Sequence, residues 1–158
     1  MIRIDFNDDE VQAMLAGLNR RFGDLRTLMN VLGDDLVRST RDRMRRGETP
    51  EGAPFAPRPQ TTLDIYARKK FSYGLPLNRS GDMIREISFF AGSDFVEVGS
   101  NERQAAVMQF GAAKRSFKGV SPWGNIPARP DLGLSDQDKT DLVSTINTWL
   151  AKATNGGA

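Results

Sequence analysis

The sequence contains no cysteine and no histidine. The first absence excludes disulfides, thiolate nucleophiles and cysteine-ligated zinc. The second removes the side chain most used as a general base and as a metal ligand. Carboxylate-only, lysine and serine–lysine chemistries survive. No apolar run approaches the roughly 18 residues that a membrane span needs, and mean hydropathy is −0.46. The first ten residues, MIRIDFNDDE, are acidic and alternating. They lack the basic start and apolar middle of a signal peptide, so a soluble chain made in the cytoplasm is expected. Neither a Walker lysine context nor a GxGxxG is present, which removes the usual phosphate-cradling loops. A large charge excess is missing too: 22 basic against 20 acidic residues leave a net +2. The sequence pI of 9.1 overstates basicity. Without histidine, little titrates between carboxylates and lysines, and the curve crosses zero late. Strong nucleic-acid binders carry a clear positive excess; this chain could carry one only locally.

What is present fits one domain. A chain of 158 residues with 39% hydrophobic content can bury a real core. We expect a single domain over 1–153 and a flexible tail over 154–158. Ile2, Ile4 and Phe6 alternate with polar residues as in a short strand. Asn7 and Glu10 make a capping-box-like start for a helix bearing Val11, Met14, Leu15, Leu18 and Phe22, which Gly23 ends. A longer helix is predicted from about Asp24 to Arg46, with Leu25, Leu28, Met29, Leu32, Leu36 and Met44 on its apolar face. The stretch GETPEGAPFAPRPQTT holds four of the eight prolines and reads as an extended surface loop. A short helix around 62–71 follows, then a helical turn capped by Ser80 or Asp82. Ile87, Phe89, Phe95, Val96 and Val98 predict two strands meeting at Gly92-Ser93-Asp94. QAAVMQFG reads as a helix stopped by Gly111. Ser135 caps a last helix, with Asp136 and Asp138 in its first turn and Leu142, Val143, Ile146, Trp149 and Leu150 on its apolar face. The sum is an α+β fold: a small antiparallel sheet packed with three or four helices and long irregular loops at 47–60 and 112–125. Those loops are expected to be mobile in an isolated subunit and ordered in an assembly.

Candidate functional residues are few. Arg38, Arg41 and Arg45 share one stripe of the long helix, opposite Met29 and Leu36. Asp34 and Asp42 lie four residues before Arg38 and Arg46, the spacing of ordinary helix-surface ion pairs. The stripe is therefore either a solvated face or a surface for a charged partner; Lys114, Arg115 and Lys118 extend the second reading toward DNA. Asp131, Asp136, Asp138 and Asp141 do not fit a calcium loop, and helix capping explains Asp8, Asp9 and Glu10 as well. No nucleophile–base pair, metal site or cofactor site is expected. The residues point to a binding or structural protein, not an enzyme.

The order of three motifs adds to this. GAPFAPRPQTT followed by LNRSGDM, then FVEVGSNERQAAVMQFGA, then IPARPDLGLSDQD together resemble the phage virion morphogenesis family, which includes tail completion proteins of Mu-like and P2-like tailed phages. The resemblance covers residues from about 50 onward. The chain departs from the pattern at Phe55, where a Trp is common, and at Asp131, where an aromatic is usual. The resemblance implies a non-enzymatic virion component, assembled in the host cytoplasm. It would act where the tail is completed and joined to the head, as a homo-oligomeric ring, commonly of six subunits. The implied partners are other copies, neck or tail proteins, and genomic DNA passing through the ring; no membrane is implied.

Pro127 and Pro130 bracket Arg129 and restrict the backbone around it. A pre-set arginine suits a subunit interface, so Arg129, Pro127 and Pro130 are candidate interface residues. The alternative is a stiff connector whose arginine covers the end of the last helix. Phe55, Phe117 and Trp123 are large apolar residues in predicted loops, and we expect some of them to bury against a neighbouring chain.

Overall fold

The computed structural model describes residues 2–3, 9, 12–13, 16–18, 23–114 and 125–155. Among them run β1 (Ile2–Arg3), α1 (Arg26–Arg46), α2 (Gln60–Arg68), α3 (Asp82–Arg85), β2 (Ile87–Ala91), β3 (Val96–Ser100), α4 (Ala105–Phe110) and α5 (Asp136–Asn155). Residues 16–18 are also helical, and Leu18 is buried. The rest of the first expected helix, including its capping box at Asn7 and Glu10, lies outside the described residues.

The sheet is antiparallel, in the order β1-β3-β2. Its hairpin runs in register from Ile87↔Ser100 to Ala91↔Val96. The Gly92 amide donates to the Phe95 carbonyl at 2.8 Å and closes the turn. β1 joins through Ile2↔Ser100 and Arg3↔Gly99. α1 lies on one face of this sheet and is the spine of the domain. It lends Val37 and Met44 to one apolar cluster, with Phe55, Met83, Ile84, Ile87 and Leu132. It lends Leu28, Met29 and Leu32 to a second, with Leu142 and Ile146 of α5. Gly33 lets helix and sheet meet closely: a β-carbon there would lie 2.3 Å from Phe89 Cδ2.

Both ends of α1 are set by local chemistry. Asp24 Oδ1 accepts a 2.8 Å hydrogen bond from the Arg26 amide, satisfying one free N–H of the first turn. At the other end Gly47 adopts φ 76°, and the amides of Gly47 and Glu48 return to the carbonyls of Met44 and Arg43. Glycine takes this left-handed conformation without the penalty other residues bear. α5 starts with a reciprocal cap: the Asp138 amide donates to Ser135 Oγ at 3.0 Å and the Ser135 amide to Asp138 Oδ2 at 2.8 Å.

Three expectations are corrected. The α2 helix starts at Gln60 and stops at Arg68, earlier at both ends than 62–71. α5 continues through Asn155, two residues into the expected tail; 156–158 lie outside the described residues. The proline-rich stretch is not a loose loop. The Phe55 amide donates to Gly47 O at 2.7 Å and the Thr49 amide to Ala53 O at 2.8 Å, while Glu48 and Pro54 pair as a β-bridge. Residues 47–55 thus fold into a closed turn, which proline favours by removing alternative backbone states.

Candidate functional site

The proline-bracketed segment, 126–135, is tied down along its length. Ile126 bridges Ala112 with hydrogen bonds of 2.8 and 2.9 Å in both directions. The Arg129 amide donates to Met108 O at 2.6 Å. The Arg129 side chain is 5% exposed; its Nε donates to Ala56 O at 2.6 Å and its Nη2 to Pro57 O at 2.8 Å. Gln109 of α4 is also buried. Its Oε1 accepts from the amides of Asp131 and Leu132 at 2.9 and 3.1 Å, and its Nε2 donates to Leu132 O at 3.0 Å. Arg43 of α1 completes the set: its Nη2 donates to Gly133 O at 2.8 Å and its Nη1 to Asp138 Oδ2 at 2.5 Å. The segment is a strap that locks α1, α4, α5 and the 56–57 turn together.

This corrects the interface reading for two residues. Arg129 forks onto backbone carbonyls of its own chain, and Phe55 is buried in its own chain's core. Both side chains are buried within the folded subunit. The connector alternative is closer, with the difference that Arg129 covers the 56–57 turn and not the last helix. Pro127 and Pro130 are half-buried beside it. Phe117, Trp123, Arg115 and Lys118 lie outside the described residues.

Two carboxylates in the strap sit in opposite electrostatic settings. Burial alone would raise the Asp138 pKa. Hydrogen bonds from Ser39 and Ser135, and the Arg43 charge, outweigh burial and hold the carboxyl below its usual range. Asp131 is 2% exposed, and neither of its carboxylate oxygens has a hydrogen-bond partner among the described residues. Burial pushes its pKa up to about 6, against smaller lowering effects of its own backbone amide and of Arg43. For Arg129, burial is the larger and Arg58 the smaller cause of a lowered pKa.

The arginine stripe divides. Arg38 and Arg45 are exposed but paired with Asp35 and Asp42 three residues earlier, in place of the Asp34–Arg38 and Asp42–Arg46 pairs that the spacing suggested. Arg46 pairs with Glu48. Arg41 leaves the stripe: its Nη2 donates to the carbonyls of Arg85 and Ile87 at 3.0 and 2.8 Å, stitching α1 to the start of β2. Lys114 is exposed. Among the described residues no group of three carboxylates is placed to hold a metal ion, and no helix is long and apolar enough to cross a membrane.

The surface that stands out is one the sequence did not flag. Residues 58–75 form an arm closed at its base, where Arg58 Nη1 and Nη2 donate to the carbonyls of Gly74 and Leu75 at 2.6 and 2.5 Å. The same guanidinium lies 5.8 Å from the Tyr66 ring and 5.2 Å from the Tyr73 ring. Such cation–π contacts hold a cation over an aromatic face. Phe71, Tyr73 and Leu75 remain exposed, as do Phe90 and Phe95 on the hairpin and Phe110 at the end of α4.

The chain is thus an α+β scaffold locked by a proline-bracketed strap, with several aromatics exposed. Comparison with known proteins identifies its family. Residues 6–151 match the phage virion morphogenesis family, and the chain belongs to that family. It is 31% identical over 85 residues to "Mu-like prophage FluMu G protein 2" of Haemophilus influenzae, covering 54% of this chain. The match spans 59% of that relative's own length. No solved structure matches.

Proposed function

We propose that the protein is a structural, non-catalytic virion component that completes the tail and joins it to the head. It works as a closed ring of identical subunits in the neck or at the head-proximal end of the tail, with six copies expected. The observation that carries this reading is the family match across residues 6–151. The exposed Phe71, Tyr73, Leu75, Phe90, Phe95 and Phe110 support it by offering apolar surface for contacts between subunits. The strap supports it in a second way: a rigid subunit loses little freedom on entering a ring. Subunits fold in the host cytoplasm and end in the virion, against other copies, neck or tail neighbours, and DNA passing through the ring. A separate role as a nucleic-acid-binding accessory finds less support. Of its arginine stripe, Arg41 is spent on carbonyls and Arg38 and Arg45 are paired with aspartates.

Deletion of the gene from its phage or prophage tests the proposal. The expected result is filled heads and separate tails that a plasmid copy restores to joined particles. Joined, infectious particles in the deletion strain would contradict it. So would metal-dependent cleavage of DNA or peptide by the purified chain that one carboxylate substitution abolishes.

A further inference from the structure

The near-neutral total conceals a segregation of charge. Residues 56–79 hold Arg58, Arg68, Lys69, Lys70 and Arg79 against the single acid Asp64. Residues 86–102 hold Glu86, Asp94, Glu97 and Glu102 and no lysine or arginine. One segment is therefore +4 and the other −4, and each carries exposed aromatics.

The basic segment holds the arm, 58–75, and runs on to Arg79. Its helix α2 has nine residues and buries none of them; helices shorter than about 12–15 residues are marginal without packing. Phe71 and Leu75 are 43% and 49% exposed. Lys69 and Arg79 lie 5.9 and 5.5 Å from the centre of the Phe71 ring, so the cations are held beside the apolar surface. Lys70 and Leu77 have φ of 54° and 65°. Non-glycine residues adopt this region at a cost and are enriched at functional sites. The acidic segment is centred on the β2–β3 hairpin, with Glu86 and Glu102 just outside its strands and Arg85 and Arg103 flanking them. Phe89 meets α1 at Gly33, so the strand's alternation turns Phe90 to the opposite face. Phe90 is 58% exposed, and its ring lies 6.0 Å from that of Phe95.

We propose that the arm of one copy docks on the hairpin of the next, aromatics against aromatics and cations against carboxylates. The proposal rests on the ring reading above and identifies its subunit contact. Within one folded chain both patches are exposed at once, so neither covers the other. Two different patches on one subunit give a head-to-tail contact, the kind that closes into a ring when the rotation allows. Aromatic and arginine enrichment is the composition of a protein interface. Nucleic acid fits the arm less well. Arg58 is engaged with carbonyls, and cations already lie beside Phe71, where a base would have to stack.

Sedimentation of the full chain over a concentration series tests this, with circular dichroism and thermal unfolding run alongside. The arm variant carries Lys69→Glu and Lys70→Glu; the hairpin variant carries Glu86→Lys and Asp94→Lys. Each is expected to stay folded and to weaken self-association at least about tenfold, because like charges would then face each other. All four substitutions in one chain should restore association, and so should mixing the two variants. The absence of cysteine offers a second route: chains with Phe71→Cys mixed with chains with Phe90→Cys should join through a short bismaleimide linker. Wild-type association that survives either charge reversal, with no cross-link, overturns the contact and leaves the ring standing. A wild-type chain that stays monomeric throughout overturns both. Arm-dependent binding of a DNA duplex, with self-association untouched by the arm variant, also overturns the contact.

Discussion

Arg129 ties the strap to the 56–57 turn through hydrogen bonds to two backbone carbonyls. Hydrogen bonds from a charged donor contribute about 1.5–3 kcal/mol each, so Arg129→Ala should lower the stability of the subunit by about 3 kcal/mol. Arg129→Lys should recover little, because one ammonium cannot reproduce the fork. Chemical denaturation reads both, and an unchanged midpoint would show that the fork does not hold the strap. Arg43 and Asp138 are a buried pair with side chains 5% and 2% exposed. Removing one partner of such a pair typically costs about 3–5 kcal/mol, the loss expected for Asp138→Asn. The two strap carboxylates give opposite pH signatures. The Asp138 pKa is lowered by folding, so its contribution is present above the unfolded carboxylate value and is lost as pH falls through its folded value. The Asp131 pKa is raised from 3.8 to about 6, so between those values the folded chain holds a proton that the unfolded chain has released. Stability therefore falls as pH rises through that window, by up to about 3 kcal/mol. Asp131→Asn should remove this slope: its stability relative to wild type should rise from pH 4 to pH 7. A difference that stays constant with pH would contradict the account.

At the scale of elements, Gly33 marks where α1 and β2 touch. Gly33→Ala would push a methyl group into the Phe89 ring, and overpacking of this kind costs about 1–3 kcal/mol. Thermal unfolding reads it; a neutral result would mean that the helix can lift off the sheet freely. Much of this level was legible in the sequence. The α1 helix, the hairpin and α5 follow from apolar periodicity, and Gly111 and Ser135 marked ends that the structure keeps. What escaped had a common cause: polar residues doing buried work. Arg43 falls on the apolar stripe of α1 by spacing, three residues after buried Thr40 and seven after Leu36, yet its charge suggested solvent. Asp138 was explained by its place in the first turn, which hid the ion pair to Arg43 from another helix. The Arg129 fork depends on a turn 72 residues away, and nothing local announces it. The prolines around Phe55 suggest an extended surface loop, while the chain uses them in a closed turn. The arm carries a signal in the sequence: Arg58, Tyr66, Arg68, Lys69, Lys70, Phe71 and Tyr73 interleave cations and aromatics within 16 positions.

At the scale of the whole molecule, stability and assembly occupy different residues. The strap is buried and joins elements of one subunit; the arm's Phe71, Tyr73 and Leu75, the outer-face Phe90 and Phe95 of the hairpin, and Phe110 are exposed. Substitutions in the two sets should therefore separate. Phe110→Ser should leave thermal unfolding within about 0.5 kcal/mol of wild type, as surface changes usually do, while reducing the yield of joined particles in complementation. Equal damage to stability would show that the phenylalanine belongs to the fold. The most direct test of the central claim, that this chain forms a ring where tail meets head, is a reconstruction of the joined particle. The account predicts a closed ring of copies at the head-proximal end of the tail, with residues 58–75 of each subunit against the hairpin of the next. A joined particle that lacks the protein at that junction, or holds it as copies that do not touch, would contradict it.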